Sequence, residues 1–213
     1  MNTRNPFTDP ELVAGYEGWY GSVGRRADRL EKSLLKMLLG RFPEARDVLE
    51  VGCGTGHFTR WMEALGFRVV GLDISTAMLA EARRRGPGVY VEGDALRIPF
   101  GPGSYDLVVM ITALEFTVDP TSVLVEAHRV ARKGLILGVL NRESRLGRQL
   151  KEKGGVIWDS ARFLSVNELA RIVRRALRNQ PAEVFWRTTM WPLWPRDLPL
   201  PWGGFIGMAV RLP

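Results

Sequence analysis

Cysteine and histidine are scarce in this chain of 213 residues. Cys53 is the one cysteine, which excludes an internal disulfide and a cysteine-built metal site. Histidine occurs twice, at His57 and His128, and no metal-ligand set is read from the sequence. Long apolar runs are also missing. The stretch 107–114 is bounded by Asp106 and Glu115 and is too short to cross a bilayer. The opening residues 1–10 are polar, carry Asp9 and two prolines, and lack the apolar core of a signal peptide. No internal repeat or low-complexity tract interrupts the chain. These absences lead to the expectation of a soluble cytoplasmic protein without a membrane span.

What is present suits one globular unit. Hydrophobic residues make up 46% and charged residues 25%, and the length supports one substantial core, so residues 1–213 are read as a single domain. Net charge is +7, and only five of the 30 basic residues are lysines. An excess of this kind suits a nucleic-acid or other anionic partner. Arg83, Arg84, Arg85, Arg171, Arg174, Arg175 and Arg178 fall in helical patterns, however, so solvated helix faces are the preferred reading and nucleic acid the less favoured partner.

The pattern along the chain is helical, then alternating, then mixed. Residues 11–20 and 25–39 read as helices, the second with Leu30, Leu34, Leu35, Leu38 and Leu39 on one face. Strands are expected at 47–51, 68–72, 89–91, 106–111 and 135–140. Helices are expected at 56–65, from Ser75 to 85, and from Asp119-Pro120 to about 132. Buried strands alternating with helices imply a parallel sheet covered on both faces, with ligands beyond the carboxyl ends of the strands. Residues 141–162 read as a short helix and loop. Ser165 and Glu168 form a capping-box pattern for a helix over 165–177, and two strands follow at 183–190 and 205–212.

The chemistry concentrates at strand ends. Gly52, Gly54 and Gly56 form a GxGxG turn after a buried strand, with Cys53 inside it. Glycine permits positive φ and removes the Cβ that would obstruct a ligand lying on the main chain, and the helix that follows aims free N–H groups at it. A dinucleotide fingerprint requires glycine at position 57, where this chain has His57. Glu50 interrupts an apolar strand one residue from the turn. It reads as support for a ligand ammonium group or as a clamp on the loop. Asp73, at the tip of the second strand, can accept both hydroxyls of a ribose, and also suits a cap for the helix at Ser75. Ile74 and Met78 are placed to pack on an adenine. Asp94 can accept from the adenine amino group while Ala95 or Leu96 offers a backbone N–H, and a turn cap remains open for it. Ile111, Thr112 and Phe116 form a lip for the reactive centre.

These motifs resemble the class I S-adenosylmethionine-dependent methyltransferases, in particular the small-molecule, ubiquinone/menaquinone C-methyltransferase-like (methyltransferase type 11) group. The resemblance rests on residues 48–56, 69–75, 92–99 and 105–120 and covers about 47–140. It implies a Rossmann-like three-layer α/β sandwich. The seven-stranded sheet would be mostly parallel with an antiparallel last strand. Residues 1–40 would form a helical lid, 41–140 the cofactor core and 141–213 the substrate side. The implied cofactor is S-adenosylmethionine, released as S-adenosylhomocysteine, without a metal. Tyr16, Trp19 and Tyr20 are similar to an aromatic helix that covers the cofactor in relatives, and packing of that helix on the domain is the open alternative. Several relatives carry a histidine base near position 115. Here Glu115 stands there and is the candidate base or acceptor-orienting acid.

The expected reaction is in-line methyl transfer to a small-molecule acceptor by a monomer or homodimer. An RNA or protein methyltransferase and a non-catalytic cofactor-binding module are the alternatives. No Asn-Pro-Pro-Tyr-like motif follows the fourth strand. Trp191, Trp194 and Trp202 read either as a roof over a partly apolar acceptor or as a cover for the sheet edge.

Overall fold

The computed structural model describes residues 6–18, 24–178, 180–190 and 197–213. A 3-10 turn, Pro6–Thr8, leads into helices α1 (Pro10–Tyr16) and α2 (Arg25–Leu39). The alternating section runs β1 (Asp47–Val51), α3 (His57–Ala64), β2 (Arg68–Asp73), α4 (Thr76–Arg85), β3 (Val89–Glu92), β4 (Tyr105–Ile111), α5 (Pro120–Val130) and β5 (Ala131–Leu140). The last third holds α6 (Arg145–Lys153), α7 (Val156–Ser160), α8 (Val166–Ala176), β6 (Glu183–Thr189) and β7 (Phe205–Arg211).

All seven strands join one sheet in the order β3-β2-β1-β4-β5-β7-β6. Strands β1 to β5 pair in parallel, and β7 runs antiparallel to both β5 and β6. The sheet is therefore mostly parallel with the last strand reversed, as the resemblance implies. Strand order turns back between β1 and β4, which places the topological switch point at the end of β1.

Both faces of the sheet are covered because neighbouring strand residues point to opposite sides. Val48, Leu107, Val109 and Ile136 pack with Leu34, Leu35 and Leu38 of α2 and Phe58 and Met62 of α3. On the other face Leu49, Val51, Val108, Leu135 and Leu137 pack with Leu124 and Ala127 of α5 and Leu169 and Val173 of α8. Truncating one fully buried leucine such as Leu38 to alanine costs about 2–5 kcal/mol.

The capping signals behave as their chemistry requires. Ser75 Oγ accepts from Met78 N, and Asp119 accepts from Thr121 and Ser122 N. Ser165 and Glu168 close a full capping box. Two segments show why the structure departs from the sequence expectation. Strand β5 begins at Ala131 instead of Leu135, directly at the end of α5. Arg132 and Lys133 disguise the strand start, since their cations reach Asp106 at 3.2 and 3.4 Å. Residues 141–162 carry two helices, not one, separated at Gly154 and Gly155, whose φ values are +62° and +99°. Among the described residues, no helix is long and apolar enough to cross a membrane.

Candidate functional site

The turn after β1 leaves the sheet at its switch point. Gly52, Gly54 and Gly56 all have positive φ, at +76°, +53° and +76°. Gly52 N and Cys53 N both donate to Leu72 O, at 2.7 and 3.1 Å, which ties the turn to β2. Two of these glycines serve different ends. A Cβ on Gly54 would meet nothing nearer than Met78 Sδ at 3.9 Å, so the backbone there faces open space. A Cβ on Gly56 would overlap the Tyr90 hydroxyl. Gly54 lines a cavity of about 420 Å³, within the range of small-ligand sites, whereas Gly56 shapes the loop from behind.

Three acids converge on this cavity. Glu50 is 1% exposed and lines its wall, and its Oε2 accepts from the Thr59 hydroxyl of α3. Burial pushes its carboxyl up to about 8. The clamp on the loop's following helix is thus visible directly. Asp73 Oδ2 accepts from Gly54 N and Oδ1 from Ser75 N, both at 2.8 Å. Burial raises its pKa while these backbone N–H groups pull it down. Each Asp73 oxygen keeps a second acceptor direction for a ligand hydroxyl. Asp94 Oδ1 accepts from Leu96 N at 2.8 Å, so the turn-capping role is real and the Leu96 N–H is committed.

Apolar groups complete the enclosure. Ile74, Met78, Ala95 and Leu96 line one side, and Met110, Ile111, Thr112, Ala113 and Phe116 line the other. Ile74 and Leu96 are 57% and 45% exposed, although large and apolar. Thr112 has φ +47°, a strained value for a β-branched residue, held by its N–H donating to Gly138 O at 2.8 Å. Cys53 also lines the cavity, and burial drives its thiol pKa well up, so it stays a neutral packing group.

The N-terminal segment closes over the opening. Phe7 and Tyr16 line the cavity, and the Phe7 ring meets Tyr16 and Phe116 edge-on at 5.8 and 4.9 Å. Ser75 Oγ donates to Phe7 O at 2.6 Å. Glu17 pairs with Arg60 of α3 at 2.8 Å and with Arg85 of α4 at 3.2 Å. Val13 of α1 is buried, so the helix both packs on the body and presents Tyr16 to the cavity. Tyr20, Trp19, Trp191 and Trp194 lie outside the described residues.

Glu115 departs from the role read for it. It is 1% exposed and does not line the cavity. Its Oε1 accepts from Leu140 N at 2.7 Å, and burial pushes its carboxyl up to about 7. The cause is local. Residues Leu114–Phe116 form a 3-10 turn, in which successive side chains point about a third of a turn apart. Phe116 takes the cavity and Glu115 faces the end of β5. This geometry argues for a structural hydrogen bond instead of a base.

Other cavity residues escaped the sequence reading. Phe7 sits in a turn without periodicity. His57 lines the wall, with Nε2 2.7 Å from Asp28 Oδ1 and 2.9 Å from Lys32 Nζ of α2. Burial lowers the His57 pKa, with Asp28 opposing. The i, i+4 spacing of Asp28 and Lys32 was a usable signal for a polar helix face, but nothing in the sequence pairs that face with position 57.

A glycine-floored cleft at the switch point of a parallel sheet, with an acid at the next strand's tip, defines an α/β protein built to bind a nucleoside cofactor. The residues fit S-adenosylmethionine. Gly54 leaves the backbone bare where a Cβ would intrude, a buried carboxyl group faces the cavity, and Thr55 Oγ1 on its wall has no partner among the described residues. A methyltransferase domain model matches residues 49–138. A solved structure from Thermotoga maritima is 31% identical, a SAM-dependent methyltransferase described as a possible histamine N-methyltransferase. It superposes with a TM-score of 0.78 over 95% of this chain and 97% of its own. Demethylmenaquinone methyltransferase of Beutenbergia cavernae is 36% identical over 138 residues, covering 59% of this chain and 56% of its own length. Malonyl-[acyl-carrier protein] O-methyltransferase of Enterobacter lignolyticus is 32% identical over 135 residues, covering 62% and 54%. The chain spans just over half the length of these last two relatives. It belongs to the S-adenosylmethionine-dependent methyltransferases.

Proposed function

We propose that this methyltransferase acts on a small-molecule acceptor. The observation that carries the proposal is the aromatic cover of the 420 Å³ cavity, where Phe7, Tyr16 and Phe116 all line the wall and the Phe7 ring meets the other two edge-on. An aromatic cover over the methyl-donor site suits a compact acceptor better than a polymer. The names of the demethylmenaquinone and possible histamine methyltransferases agree with that class.

Asp73 would hold the ribose, Ile74, Met78, Asp94 and Ala95 the adenine, and Glu50 the ammonium end. When bound, S-adenosylmethionine supplies a methyl group on a sulfonium, an already activated leaving group. The chain's own work is then alignment and exclusion of water. Phe7, Tyr16 and Phe116 form an aromatic cover, and the strained Thr112 backbone fixes the lip. Positioning of this kind contributes up to ~7–11 kcal/mol in favourable cases.

Isothermal titration with S-adenosylhomocysteine, S-adenosylmethionine and NAD tests the cofactor assignment. Binding of the first two and not the third is expected, and binding of NAD alone overturns it. Tritiated-methyl transfer against panels of metabolites and of RNA then tests the acceptor class; label in RNA alone sinks the small-molecule reading.

A further inference from the structure

A second opening lies beside the cofactor cavity, on the same rim of the sheet. It is a groove of about 1080 Å³ over the ends of β5 and β6 and the start of β7. Its walls carry Arg26 of α2, Arg142 just after β5, and Arg145 and Arg148 of α6, with Met190 and Trp202 beside them. Glu143 is the one acid among its described lining residues. Four arginines and one acid therefore line it.

Among the described residues, two of these arginines are engaged within the protein and two are not. Arg60, Arg85, Arg129 and Arg132 close on acids at 2.7–3.2 Å. In the groove, Arg142 pairs with Glu168 at 2.9 Å, and Arg148 donates to Glu143 O at 2.9 Å. Arg26 and Arg145 make no ion pair among the described residues. Like charges gathered in a concave site raise the local concentration of anions. A guanidinium fork matches the paired oxygens of a carboxylate or phosphate. Helix α6 also begins here, at Ser144, and its N-terminal N–H groups add to the positive field. Beside the charge stands an apolar wall, in which Trp202 is 58% exposed despite its size.

The groove and the cavity share one partition. Phe116 lines the cavity, Leu146 and Met190 line the groove, and all three pack on the cluster of Leu140, Ala161 and Phe163. We propose that the groove binds an anionic group, carboxylate or phosphate, of a methyl acceptor whose apolar body lies along Trp202 and Met190, with its reactive end passing over the rim of that partition towards Phe116. This rests on the methyltransferase reading and narrows its acceptor to an amphipathic anion.

The test is calorimetry on protein saturated with S-adenosylhomocysteine, titrated with 1-naphthyl phosphate, 1-naphthoate, 1-naphthol and inorganic phosphate. At least one aromatic anion is expected to bind more tightly than naphthol or phosphate, and the naphthoate arm separates carboxylate from phosphate preference. R26A/R145A should weaken that anion roughly tenfold or more. R171A/R174A removes the same charge from the exposed face of α8 and should leave binding unchanged. Anions no tighter than naphthol, or equal losses in both double variants, overturn the proposal. The S-adenosylhomocysteine affinity of the same samples keeps the two readings apart. If it fails to bind, the methyl-donor assignment falls, while the anion titrations of the free protein still decide the groove.

Discussion

Glu50 links cofactor binding to a proton, and the size of the link follows from its burial. Its carboxyl sits at about 8 in the free protein, against 4.5 in water, because burial in the strand disfavours the charge by more than the hydrogen bond donated by the Thr59 hydroxyl favours it. At pH 7 only about a tenth of the molecules carry the charge. A ligand ammonium at the cavity wall favours the ionised form, so binding should release close to one proton at pH 6.5–7. Ionising Glu50 at pH 7 costs about 1.4 kcal/mol. A charge-assisted hydrogen bond returns about 1.5–3 kcal/mol. Glu50→Gln should therefore weaken S-adenosylhomocysteine several-fold and abolish the proton release. Calorimetry in two buffers of different ionisation enthalpy reads this directly: the wild-type heats should differ and the variant heats should coincide. Folding supplies a second readout. A carboxyl whose folded pKa is raised favours the folded state fully below its unfolded value of about 4.5, and that stability is lost as pH rises towards 8. Glu31 and Glu115, raised to about 8 and about 7, act in the same direction. Urea unfolding of the free protein should thus show stability falling from pH 5 to 8.5, with a shallower slope in Glu50→Gln. The upper bound for Glu50 alone is roughly 5 kcal/mol, reduced in practice by relaxation and water entry. Buffer-independent heats in the wild type together with unchanged slopes in the variant would refute the reasoning.

The two glycines should separate binding from stability. Gly54→Ala pays a left-handed backbone cost of roughly 1–2 kcal/mol and should lose most S-adenosylhomocysteine affinity, because its methyl enters the cavity. Gly56→Ala meets Tyr90 as well and should lose more stability, by roughly 2–4 kcal/mol, as read by thermal melting. Equal stability losses in the two variants would contradict the division of roles. Glu17→Ala removes the acid shared by Arg60 and Arg85 and should speed ligand dissociation several-fold in stopped-flow experiments with little change in melting temperature. An unchanged off-rate would mean that the lid is held elsewhere. Glu115→Ala leaves Leu140 N without its acceptor and should cost about 1–3 kcal/mol of stability while S-adenosylhomocysteine affinity stays put. Loss of affinity at wild-type stability would return Glu115 to the site.

The glycine turn, the strand-tip acid and the helix caps were legible because each signal is local. A buried strand followed by GxGxG can only be a backbone-exposing turn, and Asp73 at a strand tip in a parallel sheet must reach the same rim. Capping residues such as Ser75, Asp119 and Ser165 act within three residues of themselves, so their roles hold whatever the rest of the fold does. The placement of Glu115 was not legible, because a one-residue step in a 3-10 turn swings a side chain from the cavity to the strand end, and no sequence pattern marks that step. Asp94 lines the cavity, and its Asx turn engages the Leu96 N–H, one of the two backbone donors, Ala95 or Leu96, expected for adenine.

By itself, the sequence determined the alternation of strands and helices, the cofactor turn and its acids, because hydrophobic periodicity and backbone chemistry operate over a few residues. Only the tertiary structure decided what lies across from them. Packing α2 against α3 brings Asp28 and Lys32 to His57, and the Phe7 turn closes over Phe116, more than 100 positions away in the chain. Arginines from α2 and α6 become one groove only when β7 inserts between β5 and β6. Contacts between residues distant in the chain depend on which faces the whole core buries, and that choice is made by the fold as a unit.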